Sequence, residues 1–309
     1  MIPSSFDYLV PTSVDEAVAL LQAHAGDAKI LAGGQSLIPM LKLRLAEPAV
    51  LIDINRISAL GYVEERDGAL HIGALAREGD LERSALVRQR YEILNDTTAV
   101  IADPLVRNSA TVCGNIAHGD PGNDHPATML ALDALFVARG PSGERRIAAR
   151  DFFLGLFSTA LNEEELLTEI EIPRPAERSG GAYLKLERKV GDYATAGVAV
   201  QVILDASGGC ARAGIGLTNV GAMAIEAVRA QDFLRNKPLD AATIAQAAEI
   251  AASEADPLED RRGSADYKRD VVRVLTGRAL RLAASRATGA NISTPVPFTY
   301  SPAQTAIRS

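Results

Sequence analysis

The sequence predicts an α+β chain: two α/β units, then a unit of three antiparallel strands and a helical bundle. Three observations carry that prediction. Two short apolar runs flank a glycine turn and a crossover near the N-terminus, which are the ingredients of a parallel βαβ unit. Strand-like and helix-like spacings then alternate through the middle of the chain. Finally, three apolar runs joined by short turns precede a long alanine-rich stretch.

The first unit is assigned to residues 1–57. Ser13 stands before a helical stretch, VDEAVALLQAHAG, whose first turn holds Asp15 and Glu16, where the helix dipole favours negative charge. AKILAGG reads as a strand ending in glycines, and AVLIDI as a second strand. The second unit is assigned to residues 58–175. ALHIGAL alternates like a strand, GDLERSALVRQRYEILNDTTAVIA carries helical spacing, and LFVARG and ELLTEIEIP read as further strands. Between them ADPLVRNSATVCGNIAHGDPGNDHPA is polar, rich in glycine and without a period, so it is predicted as a long functional loop.

IPRPAERSGG has the proline and glycine density of a linker, which opens a third unit at residues 176–288. Its strands are GAYLKLERKV, ATAGVAVQVILDA and CARAGIGLTNV, with SGG at the second turn. Helical spacing follows in AIEAVRAQDFLRN, DAATIAQAAEIAASEA and SADYKRDVVRVLTGRALRLAASRA. Residues 289–309 carry several prolines and no period, and are expected to be extended or held on a partner.

Composition narrows the function classes. A chain of 309 residues can bury two or three cores. A net charge of −7 gives no reason to expect binding to nucleic acid or to anionic lipid. Two cysteines, Cys113 and Cys210, lie far from any CxxC or Cys/His spacing, so neither a disulfide framework nor a metal site is expected. The first residues lack a basic flank and an apolar core, and no apolar run approaches the length of a membrane span. A cytoplasmic, reducing compartment is the expectation.

Two glycine loops carry the chemistry. In AGGQS, Gly33 and Gly34 let a phosphate approach the main chain, Ser36 adds a hydroxyl, and the helix that follows turns free N–H groups toward an anion. The stretch is neither GxGxxG nor a P-loop, and alone it reads more often as a tight turn than as an anion site. In TVCGNIAHGDPGND, Thr111, Gly114 and Asn115 offer small donors in an open segment, with Asp120 and Asp124 as acceptors. A diphosphate needs such donors, and a ribose or ribityl chain needs such acceptors. His118 and His125 flank carboxylates and could ligate a metal, but loop chemistry and ribose binding explain the segment better.

AGGQSL followed by LIDINRI, and TVCGN preceded by ADPLVRN, make the chain resemble the FAD-binding medium subunit of the molybdenum hydroxylases, a family that includes xanthine dehydrogenase and carbon monoxide dehydrogenase. The resemblance runs from about Pro3 to Arg286. It implies a vanillyl-alcohol-oxidase (PCMH)-type FAD-binding fold, with FAD as cofactor. Ala32, Gly33, Gly34, Gln35, Ser36 and Leu37 would hold the diphosphate from one side, and Thr111, Gly114 and Asn115 from the other. Asp124 would take the adenine-side ribose. Lys185 would lie near the flavin ring or ribityl chain, or else be a solvated strand residue. Tyr193 would pack by the isoalloxazine, or else in the core.

Gln35 stands where many relatives carry histidine and still donates a hydrogen bond. Cys113 stands where they carry glycine, which implies no demand for positive φ there and leaves Gly114 as the expected diphosphate donor. Cys113 reads as a filler beside the cofactor, or alternatively as a redox thiol.

The resemblance further implies an electron conduit with no catalytic residue of its own. A molybdopterin-binding large subunit would oxidise substrate and a [2Fe-2S] small subunit would relay electrons to the flavin, in a dimer of heterotrimers. The competing readings are a stand-alone flavin oxidoreductase of the same fold and a non-redox nucleotide-binding scaffold. A nicotinamide-only dehydrogenase is disfavoured, because neither loop has the required fingerprint.

Overall fold

The computed structural model describes residues 2–290 and 292. The extended tail expected beyond residue 288 lies almost wholly outside the described residues. Three strands near the N-terminus, Asp7–Leu9, Ala28–Leu31 and Val50–Asp53, form a parallel sheet with Val50–Asp53 in the centre. The helices Val14–Ala23 and Leu37–Leu43 provide the crossovers. Ser13 caps the first of them by accepting from Glu16 N–H at 3.1 Å, so the sequence signal for that helix start is met.

Residues 63–173 build a five-stranded sheet in the order Val63–Arg66, Ala69–Gly73, Leu166–Pro173, Leu135–Gly140, Gly143–Ala148, with every pair antiparallel. The two outer strands, VEER and GERRIA, carry mainly charged residues. Charge is how edge strands resist pairing with other chains, and it also hides them from a search for apolar alternation. The single helical stretch expected at residues 79–102 is three short helices, Glu78–Arg83, Ala85–Arg90 and Glu92–Ala99. Ser84 breaks the run: it closes one helix in extended conformation and accepts from Val87 N–H to start the next.

The segment expected as a loop is also partly helical. Asp103 caps Pro104–Arg107, Thr111 caps Val112–His118, and His125–Ala131 begins after Asp124. Helices of four and seven residues are too short to display a period.

In the C-terminal unit Ser179–Glu187, Ala194–Leu204 and Cys210–Thr218 pair antiparallel as expected, and a two-residue strand, Ile225–Glu226, joins the edge. Strand alternation makes this sheet a wall between two cores. The cross-strand partners Tyr183 and Ala199 belong to the core shared with the first two sheets; the next pair, Ala182 and Val200, belongs to the core under the C-terminal helices. Those helices, Val228–Leu234, Ala241–Glu254 and Ala265–Ala287, bury alanine more often than any other residue, which lets them approach the sheet closely.

Arg107 fixes the turn ahead of the second glycine loop. Its guanidinium makes a two-pronged contact with Glu82 (2.9 Å to each oxygen) and donates to the carbonyl oxygens of Ile101 (2.8 Å) and Ala102 (3.2 Å). Arg107→Met removes these charge-assisted bonds and is expected to cost about 2 kcal/mol or more in denaturant unfolding. An unchanged unfolding midpoint would contradict this role.

Candidate functional site: a cleft between the two glycine loops

Sequence-distant segments meet in one cleft of about 750 Å³. Its walls come from the N-terminal sheet, the helix Val112–His118, residues 157–167 and the strand Ser179–Glu187. All twelve residues expected to hold a cofactor line it: Ala32, Gly33, Gly34, Gln35, Ser36, Leu37, Thr111, Gly114, Asn115, Asp124, Lys185 and Tyr193.

The two loops touch. A Cβ built on Gly33 would stand 2.5 Å from the Ser109 carbonyl oxygen and 2.8 Å from Thr111 N, so only glycine allows this approach. Gly34 takes φ +72° and turns the chain into the helix Leu37–Leu43. Among the described residues nothing accepts from the N–H groups of residues 33–37. The Ser36 hydroxyl makes no capping bond and is likewise available.

In the second loop Thr111 Oγ1 accepts from Gly114 N–H at 3.2 Å. The donor expected at Gly114 is therefore already engaged, and the Thr111 and Cys113 N–H groups have no partner among the described residues. Cys113 sits in ordinary helical backbone, as its lack of a demand for positive φ implied. Its thiol is buried 3.6 Å from the Ile72 carbonyl oxygen, and burial pushes its pKa up, which suits a filler rather than a redox thiol. Asn115 Oδ1 is buried with no hydrogen-bond partner among the described residues, as expected of an amide that waits for a ligand hydroxyl.

At the far end the strand Ser179–Glu187 turns Tyr183, Lys185 and Glu187 to one face, because side chains repeat every second residue. Asp124 meets them. Its Oδ1 accepts from the Tyr183 hydroxyl at 2.5 Å and its Oδ2 lies 2.9 Å from Lys185 Nζ, which also donates to the Val100 carbonyl oxygen at 3.1 Å. Lys185 is thus a buried, paired lysine and not a solvated one. Two residues expected at opposite ends of the cofactor are thus brought into direct contact on one wall of the cleft.

Tyr193 is 47% exposed at the mouth, not in the core. Its ring lies against Gly122, with the Arg262 guanidinium 5.9 Å from the ring centre. His118 packs against Phe157, their rings 5.0 Å apart, and burial lowers its pKa. His125 turns away to pair with buried Glu78 at 2.7 Å. Sequence reasoning missed several lining residues, among them Ile101, Ala102, Phe157 and Asn162. None carries a local signal; the fold alone brings them in.

A cleft with unpaired main-chain donors from two loops at its middle and a buried lysine–carboxylate cluster at one end defines a protein that holds an extended diphosphate cofactor. Comparison with known proteins agrees. Residues 4–175 match the family described as "FAD binding domain in molybdopterin dehydrogenase", and residues 181–283 match the "CO dehydrogenase flavoprotein C-terminal domain". The carbon monoxide dehydrogenase medium chain of Hydrogenophaga pseudoflava is 46% identical over 286 residues, covering 93% of this chain and 99% of that one. The 6-hydroxypseudooxynicotine dehydrogenase complex subunit alpha of Paenarthrobacter nicotinovorans is 39% identical, covering 93% and 97%. A solved carbon monoxide dehydrogenase from Hydrogenophaga pseudoflava superposes with a TM-score of 0.90 at 47% identity, over 93% of this chain and 99% of that one.

The chain belongs to the FAD-binding medium-subunit family of the molybdenum hydroxylases, and its cofactor is FAD. Such proteins are subunits of multi-subunit dehydrogenases.

The lysine cluster yields a test. Burial, opposed by Lys185 and reinforced by Asp124, raises the Glu187 pKa above its ordinary 4.5; Lys185 Nζ lies 3.4 Å away and Gly191 N–H donates to its other oxygen at 3.3 Å. Above pH 4.5 the folded chain therefore holds more of this proton than the unfolded chain, and the group's contribution to stability falls as pH rises through that window. Glu187→Gln is expected to flatten the fall when unfolding is measured against pH. An unaltered slope would contradict the assignment.

Proposed function

We propose that this chain is the electron-transferring flavin subunit of a molybdenum hydroxylase. It takes electrons from [2Fe-2S] clusters on a small subunit and passes them to an external acceptor, while substrate is oxidised on a molybdopterin-binding large subunit. The observation that carries the reading is the cleft itself: every residue expected to hold FAD lines it, in a chain matched by family models along most of its length.

FAD supplies the electron-accepting ring. The N–H groups of residues 33–37, with those of Thr111 and Cys113, stabilise its diphosphate as main-chain donors. Asn115 offers its unpaired amide oxygen to a hydroxyl. Lys185 places a positive charge at the flavin end, where it favours a ring that gains electron density. The paired Asp124 and Tyr183 fix the angle of that lysine. Tyr193, half exposed on the cleft wall, would pack against the ring.

The clusters belong to another polypeptide, since a [2Fe-2S] cluster takes four cysteine ligands and this chain has two cysteines, both buried. We assign residues 1–57 and 58–175 as the two FAD-binding subdomains and 176–288 as the C-terminal flavoprotein domain. The assembly is read as a dimer of heterotrimers in the cytoplasm. No helix among the described residues is long and apolar enough to cross a membrane.

The stand-alone flavin oxidoreductase is the reading to test against. Isolated from its host, the chain is expected to co-purify with a large and a small subunit in a complex whose spectrum shows flavin and iron–sulfur bands. Expressed alone and loaded with FAD, it should stay oxidised with carbon monoxide, aldehydes or N-heterocycles. Reduction of the lone subunit by any of these would overturn the proposal.

A further inference from the structure

Two polar residues outside the cleft connect its two loops. Asn55, just after the strand Val50–Asp53, donates from Nδ2 to the Ala32 carbonyl oxygen at 2.8 Å and to Asp53 Oδ1 at 2.6 Å. Its own N–H donates to the same Asp53 oxygen at 2.9 Å. Asn55 Oδ1 accepts from Arg77 Nη2 at 2.6 Å, and Arg77 Nη1 donates to the Ser109 carbonyl oxygen at 2.6 Å. Both donor positions of the amide nitrogen and the acceptor oxygen are thus used, which fixes which way the Asn55 amide faces.

The main chain of Arg77 is tied to the second loop as well. It forms a bridge with Thr111, in which Glu78 N–H donates to the Ala110 carbonyl oxygen at 2.9 Å and Val112 N–H to the Ala76 carbonyl oxygen at 3.2 Å. A continuous path therefore runs from the Ala32 carbonyl, through Asn55 and Arg77, to Ser109. Ser109 is also the residue whose carbonyl lies against Gly33.

The consequence follows from peptide geometry. The described residues contain no cis bond, and in a trans peptide the carbonyl oxygen and the next N–H point in opposite directions. Asn55, which does not line the cleft, holds the Ala32 oxygen, so the Gly33 N–H is turned away from Asn55. That N–H has no partner among the described residues.

We propose that Asn55 and Arg77 are positioning residues for the cofactor: they fix the Ala32–Gly33 peptide and the spacing of the two loops so that Gly33 N–H is aimed at the FAD diphosphate. The inference rests on the reading of the cleft as the FAD site. Neither residue touches the cofactor. Asn55 orients the donor, and Arg77 orients Asn55 while holding the second loop in place.

Asn55→Asp separates this role from that of a plain strut. Aspartate keeps an acceptor for Arg77 and adds charge to that contact, but it cannot donate to the Ala32 oxygen, and it sets a second carboxylate beside Asp53, which is why melting is read beside binding. The full chain, stripped of flavin, is titrated with FAD by fluorescence quenching, and the melting of each flavin-free variant is recorded beside it. Asn55→Ala and Asn55→Asp are each expected to weaken FAD binding by about tenfold or more, with cooperative melting of the flavin-free protein retained. Arg77→Lys should lose part of the affinity, since one ammonium cannot bridge Asn55 and Ser109 as the planar fork does. Asn55→Asp binding FAD as tightly as the wild type would overturn the inference. So would weakening seen only in variants that no longer melt cooperatively. A wild-type chain that took up no FAD would overturn the reading of the cleft, and this inference with it.

Discussion

Everything in the cleft depends on the contact between Gly33 and the Ser109–Thr111 backbone. Main chain can meet main chain at that distance only where one partner has no side chain. The contact sets two groups of unpaired N–H donors side by side, although one follows the strand Ala28–Leu31 and the other opens the helix Val112–His118. Unpaired main-chain donors carry a desolvation cost unless water or a ligand satisfies them. Here they are collected in one place and face a cavity, which is the arrangement an anionic cofactor requires.

The sheet formed by Ser179–Glu187 and its neighbours gives the cleft its second property. One face packs under alanine-rich helices, while the other projects Tyr183, Lys185 and Glu187 toward Asp124. A lysine this deeply buried is tolerable only with carboxylates beside it, and it has two. The sheet therefore fixes a buried lysine on the cleft wall by the same alternation that builds its two cores. The cofactor site and the packing of the C-terminal unit are not separable features.

Much of this was legible in the sequence, and the limits have physical causes. Ser13, Gly34 and Thr111 act locally, as caps and a turn former, so their residue types announce them. The charged edge strands at residues 63–66 and 143–148 were hidden because their composition answers to solvent rather than to a core. The short helices of residues 104–131 were hidden because a turn or two shows no period. That the Gly114 N–H is engaged depends on which N–H the Thr111 hydroxyl captures, and only three-dimensional geometry decides that. Asp124 and Lys185 lie 61 residues apart, so their pairing is a property of topology. Asn55 and Arg77 look in the sequence like ordinary surface polar residues, because their function lies in the carbonyl groups that they hold.

The most direct test is an experimental structure of the full chain with FAD bound. The account predicts the diphosphate at the junction of the two loops, within hydrogen-bonding distance of Gly33 N–H on one side and Cys113 N–H on the other, with the flavin end beside Lys185. A diphosphate bound away from that junction, or loops parted so that Gly33 no longer meets Ser109, would contradict it.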